Sequence, residues 1–207
     1  KLVLENTSVI IEYFFPLELS GAQLTIVRIA NATPGIWTII VHGDIVLDGI
    51  YHAWLPLTGF VSPNVSFLAP SPYTTVVVPA TAVGIITCGA YNASTNSLYM
   101  ESSWGPTRAM TLKPDLAAPG ANVGGVYPIG YGTMSGTSVA AAITAGACAL
   151  IQQWGIVNKN DISLSTYDIR AYLIRGCSRI QTINYPNVQW GYGSLNLIET
   201  FNLMREE

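Results

Sequence analysis

Between Tyr131 and Ile151 the chain reads YGTMSGTSVAAAITAGACALI. The residue types for nucleophilic chemistry stand together at Gly136-Thr137-Ser138. Gly132 and Gly136 let the backbone bend tightly and come close to a ligand. Small residues at Ala140, Ala141, Ala142, Ala145 and Ala147 let the helix that follows pack closely. A serine in the first turn of a buried helix lies near unpaired N–H groups, at the positive end of the helix dipole. That setting favours negative charge, such as the oxyanion formed when a hydroxyl attacks a carbonyl. The same residues have a plainer use as helix caps, and on this stretch alone capping by Thr137 or Ser138 is the reading to prefer.

Other reactive side chains are few. Cys88 and Cys148 sit in apolar runs, where a free cysteine behaves as a small hydrophobe. With Cys177 they make three, an odd number with no CxxC spacing, so neither a complete disulfide framework nor a zinc site is indicated. His42 and His52 are the two histidines, both in β-like alternation, with His52 placed among aromatics. Asp44 and Asp48 have glycine neighbours and read as turn residues. No acidic cluster has calcium-loop spacing, so no metal and no cofactor are expected.

These groups need a scaffold, and its texture changes along the chain. Residues 1–75 carry short β-branched and aromatic runs, "VIIEYFF", "AQLTIVRIA" and "GIWTIIVHGDIVLDGIYHAWL", broken by Gly, Pro and Asn. That pattern predicts a β-sandwich or jelly roll. From residue 76 onward strands alternate with helices, which predicts an α/β layer. "VGIITCGAY" reads as a buried strand and "NVGGVYPI" as another. The nearly continuous apolar residues from Thr137 to Trp154 predict a helix buried all round. "LSTYDIRAYLIRG" predicts an amphipathic helix capped by Ser165 or Thr166 and ending near Gly176, and "LNLIETFNLMREE" a final helix.

Half of the 207 residues are apolar, a tenth are charged, and the net charge is −3. No basic block is present, so nucleic acid is excluded as a partner. No uninterrupted apolar run reaches the roughly 18 residues needed to span a membrane. "KLVLENTSVIIEYF" has no signal-peptide features. The low charge and the start at Lys1 suggest a fragment whose apolar surface meets a missing partner, with its localisation left unread.

Four segments, in order, resemble the subtilisin-like serine peptidases. The nucleophile segment of that family is matched at Gly136, Thr137, Ser138, Ala140 and Gly146, with Val139 where Met is usual and Ala142-Ile143 where Pro-His is usual. "SSWGPTRAMTLKPDLAAPG" resembles the loop and strand before the nucleophile, through Ser103, Gly105, Pro106, Lys113, Pro114, Asp115, Ala118, Pro119 and Gly120. "VGIITCGAYN" and "WGYGSLNLIETFN" resemble a core strand and the closing turn and helix. The β-rich start resembles the jelly-roll insert of the clostridial Csp-type, spore-associated subtilases. The resemblance therefore implies a jelly-roll insert over residues 1–75 and the C-terminal part of a subtilase domain over residues 76–207.

The resemblance also implies roles. Ser138 would be the nucleophile of a serine endopeptidase, with its N–H in the oxyanion hole and Gly136 and Thr137 in support. Met134 and Ser135 would face the leaving-group side of a protein or peptide substrate. Asp115 would be structural, tying its loop. The family order of Asp, His, Asn and then Ser puts the base, its acid and the oxyanion Asn upstream of residue 1. Neither His42 nor His52 stands in a motif that replaces them, so the chain alone would be inactive and its partner would be the missing N-terminal half. A secreted or spore-associated setting in an anaerobic bacterium would follow. Two alternatives remain: a catalytically dead pseudoprotease used as a binding or regulatory scaffold, and a β-sandwich binding module with an α/β appendage. The specific motifs in the α/β part disfavour the second.

Overall fold

The computed structural model describes residues 2–4, 6–18, 21–46, 49–56 and 59–206. Asp48, read above as a turn residue, lies outside them. The chain divides into two compact units, Lys1–Val61 and Ser62–Glu207.

In the first unit, β1 (Leu2–Leu4), β2 (Thr7–Phe14) and β3 (Leu24–Ala30) form an antiparallel sheet in that order. β2 and β3 pair over their whole length, from Ser8 opposite Ala30 to Phe14 opposite Leu24. Thr7 anchors the sheet's exit: its hydroxyl donates to Asn31 O at 2.8 Å and accepts the Thr33 N–H at 3.1 Å. The remaining β-like runs, from Ile36 to Leu55, form no ladder among the described residues. Ile36, Ile40, Val41, Ile45 and Tyr51 are exposed there. One small sheet stands where a full jelly roll was expected. The alternation is present, but a strand pattern makes a sheet only when a second strand supplies its hydrogen bonds.

The second unit holds the principal core. A short sheet has the order β5 (Ser97–Leu98), β4 (Cys88–Asn92), β6 (Leu116–Pro119), with β4 and β6 parallel and Cys88 opposite Leu116. Parallel strands covered on a face read as apolar runs, and Ala90, Leu116, Ala117 and Ala118 are fully buried. A separate hairpin follows, β7 (Val123–Tyr127) and β8 (Gly130–Met134). It leads into α1 (Thr137–Gln152), which ends in a π-helical turn at Gln153–Val157. α2 (Thr166–Arg175) and α3 (Leu197–Glu206) complete the unit.

α1 lies on β4 and β6; its buried residues are Ala140, Thr144, Ala147 and Ile151, and Ala140 and Ile151 share the core with Ile169, Leu173 and Met204. The helix was expected to be buried all round and is not. Ala141, Ala142, Ala145, Gly146, Ala149 and Leu150 are exposed. Apolar composition on every face states what a helix can bury, and the described residues cover one face only. The segment Thr137–Val157, at 21 residues and mean hydropathy 1.4, is long and apolar enough to cross a membrane by length and composition. Thr, Gly and Gln interrupt its apolar run, and one face of it packs onto the sheet.

α2 starts as its sequence predicts. Ser165 is the N-cap and forms a reciprocal capping box with Asp168: the Ser165 N–H donates to Asp168 Oδ2 at 2.8 Å. Gly176 is the C-cap.

Candidate active site

The start of α1 is set by two glycines. Gly120, just past β6, sits where a Cβ would meet Ala90 Cβ at 2.6 Å and Gly136 O at 2.9 Å. The Gly136 N–H donates to Gly120 O at 2.7 Å, so the end of the sheet and the start of the helix lie in contact. Gly136 is the N-cap residue with φ 148° and ψ 158°, a backbone conformation that favours glycine. Val139 and Ala140 direct their N–H groups to Gly136 O. The Thr137 and Ser138 N–H groups stand in the first turn, which has no intrahelical acceptor.

This arrangement disposes of the capping reading at Thr137 and Ser138. The N-cap is Gly136, and no side chain caps the helix. Ser138 is exposed, and its hydroxyl has no hydrogen-bond partner among the described residues. Thr137 is half-buried beside it. A free hydroxyl, free N–H groups and the positive end of a 16-residue helix therefore coincide. Chemically, the site can present a nucleophile and hold developing negative charge on the attacked oxygen.

Met134 and Ser135 precede this turn. Met134 is half-exposed on the hairpin, and Ser135 Oγ accepts the Asn122 N–H at 2.8 Å, which closes the hairpin's base.

At the other end of β6 lies a different kind of polar site. Asp115 is fully buried. Its Oδ2 accepts the Thr87 N–H at 2.7 Å and Lys113 Nζ at 2.8 Å. Its Oδ1 accepts Arg170 Nε at 2.9 Å and Arg170 Nη2 as well. Lys113 Nζ also donates to Ile85 O at 3.0 Å. The carboxylate thus ties the entry of β4, the entry of β6 and α2 together. The resemblance marked Asp115 as a tie; it gave no sign of Arg170, which is 55 residues away. Ser102 was missed as well: it is buried, and its Oγ accepts the Ala90 N–H at 3.0 Å. A hydroxyl in a Ser-rich loop carries no spacing signal.

His42 and His52 belong to the first unit, where His52 stacks on Trp54 at 5.3 Å between ring centroids. Burial pushes the Cys88 and Cys148 thiols up, and Cys177 is pushed up to about 12, also by burial. Reactive thiols are shifted the other way. Among the described residues no group of three or more His, Cys, Asp or Glu could hold a metal.

Comparison with known proteins places the unit. The family model for the Subtilase family, the S8 peptidases, matches residues 65–193, more than half of the chain. The CspB protease of Clostridium perfringens is similar in structure, with a TM-score of 0.65 and 43% sequence identity, over 68% of this chain and 31% of that one. A PII-type proteinase of Lacticaseibacillus paracasei is 34% identical over 98 residues, which are 42% of this chain and 5% of that protein. A C5a peptidase of Streptococcus pyogenes is 42% identical over 62 residues, 30% of this chain and 5% of that protein. The chain thus spans about a twentieth of the length of the curated relatives it matches.

Proposed function

The chain belongs to the Subtilase family of S8 peptidases, and from that premise we propose that Ser138 is the nucleophile of a serine endopeptidase. The observation that carries the reading is the exposed Ser138 hydroxyl, without a hydrogen-bond partner among the described residues, in the first turn of α1 behind a glycine N-cap. Ser138 Oγ attacks the scissile carbonyl, and the bond to the leaving amine breaks to give an acyl-enzyme that water then hydrolyses. The Ser138 N–H contributes to the oxyanion hole, and Gly136 and Thr137 hold the turn. Met134 and Ser135 lie on the leaving-group side.

A serine hydroxyl is a weak nucleophile until a base takes its proton. In the proposed enzyme an Asp-His pair and an oxyanion Asn come from a segment preceding Lys1, so residues 1–207 alone are inactive and that segment is the partner. Residues 76–207 are the C-terminal part of the protease domain, and residues 1–75 are an insert of jelly-roll type whose further strands come from elsewhere.

The test is fluorophosphonate labelling. The full-length protein, or this chain co-expressed with the preceding segment, labels at Ser138 and loses the label in Ser138→Ala. Absence of label in a folded complex sinks the enzyme reading in favour of a pseudoprotease scaffold. Labelling of residues 1–207 by themselves sinks the claim that the base lies elsewhere.

A further inference from the structure

Cys88 opens β4, and Cys148 lies in α1, the helix packed on that strand. Both are free, half-buried thiols, and both line one groove of about 330 Å3. The Cys88 thiol sits beside the Thr144 hydroxyl. Thr144 is buried, with that hydroxyl donating to Ala140 O at 2.8 Å. Cys148 follows Thr144 by one helical turn, so the two share a face with Cβ atoms about 6 Å apart. Charge on the Cys88 sulfur is felt at Cys148. Toward the start of α1 the same wall is made of Ala141 and Ala145, whose methyl groups leave the space beside the two thiols open.

Cys177 differs. It is buried past the end of α2, its Sγ donates to Leu173 O at 3.2 Å, and it does not line the groove. A single cysteine in a core packs as a small hydrophobe, a part that alanine or valine fills as well. Two cysteines on a strand and on the helix packed against it supply something those residues lack, a reversible covalent bond.

We propose that Cys88 and Cys148 form a redox latch: a low-molecular-weight disulfide converts the pair to an intramolecular disulfide that ties α1 to β4, and thiol reductants release it. One cysteine thiolate attacks the small disulfide, which forms a mixed disulfide and expels one small thiolate. The second cysteine then attacks the protein sulfur of that mixed disulfide. The Cys88–Cys148 bond forms and the other small thiolate leaves. The two protons lost by the cysteines end on the two small thiols, so two protein thiols are oxidised and one small disulfide is reduced.

Burial makes each thiol a slow nucleophile. That sets the rate of bridging, while the pair's reduction potential against its surroundings sets the extent. The bond closes a loop of about 60 residues, which restricts the unfolded chain and stabilises the attachment of α1 to the sheet. The latch is independent of what Ser138 does.

The experiment treats the full-length protein with bis(2-hydroxyethyl) disulfide, alkylates the remaining thiols in denaturant, and maps the digest without reduction. The expected product is a linked peptide pair holding Cys88 and Cys148, with Cys177 alkylated. The melting temperature rises by roughly 5 °C or more, and dithiothreitol returns it. Cys88→Ala and Cys148→Ala each abolish the linked pair and the rise, and Cys177→Ala keeps both. The mapping uses wild type, so it decides the matter even where a variant fails to fold. Four results overturn the latch: both cysteines recovered as alkylated thiols, a stable mixed disulfide on either one, linkage of either to a different cysteine, or a linked pair that leaves the melting temperature unchanged or lower.

Discussion

The two ends of β6 hold the two polar residues that sequence pattern singles out, and they are built in opposite ways. Asp115 at the entry is fully buried, with both oxygens occupied by donors from Thr87, Lys113 and Arg170. Beyond the exit, through Gly120 and Gly136, Ser138 is exposed, and its hydroxyl has no partner among the described residues. A saturated carboxylate has no lone pair left for chemistry and holds three segments in place. An unsaturated hydroxyl contributes nothing to the fold and is available to react. On the proposed reading, burial and partner count separate the structural Asp115 from the reactive Ser138 where motif membership does not, since both residues stand in family-like segments.

Substitutions can break this comparison, and the largest effect belongs to Asp115. Asp115→Ala leaves Lys113, which is 3% exposed, and the partly buried Arg170 without their common partner. Removing one member of such a buried cluster costs about 3–5 kcal/mol, measured by urea denaturation. A cost below about 1 kcal/mol would show that the clamp is dispensable. Next comes Gly120→Ala, whose Cβ would stand 2.6 Å from Ala90 Cβ. Overpacking there is expected to cost about 1–3 kcal/mol and to lower Ser138 labelling, because the added methyl pushes the helix start from the sheet.

A smaller effect concerns α2, the helix that carries Arg170. The Asp168 carboxyl is held below its usual range, chiefly by the Ser165 hydroxyl that donates to it. A depressed folded pKa adds stability that is fully present above the unfolded value, about 3.9, and is lost as pH falls through the lower folded value. The melting temperatures of wild type and Ser165→Ala should therefore differ at neutral pH and draw together in acid. Curves that stay parallel would remove the carboxylate's part in the cap. The smallest effect sharpens the contrast: Ser138→Ala should change unfolding free energy by less than about 0.5 kcal/mol, because no bond is lost. A larger loss would mean that the hydroxyl is structural after all.

Much of the second unit is legible in the sequence. The cap of α2 follows from Ser165 standing three residues before Asp168, a local rule that needs no tertiary information. β4, α1 and α3 follow from apolar runs and their spacing. The first unit is less legible. Residues 36–55 carry strand-like alternation and form no ladder among the described residues, because a strand's hydrogen bonds lie on another segment. The outer face of α1 fails for the same reason: Ala141, Ala145 and Ala149 make an apolar surface, and the described residues that pack on the helix leave it exposed.

Sequence by itself determined the family, the position of Ser138 at a glycine-to-helix joint, and the cap of α2. These depend on residue order and on interactions within a few positions. Tertiary structure decided which hydroxyl is free, that Gly136 and not Thr137 or Ser138 caps α1, that Arg170 meets Asp115, and that Cys88 and Cys148 line one groove. Each of those facts joins segments or faces whose meeting is set by packing and register, and neither quantity is written in local spacing.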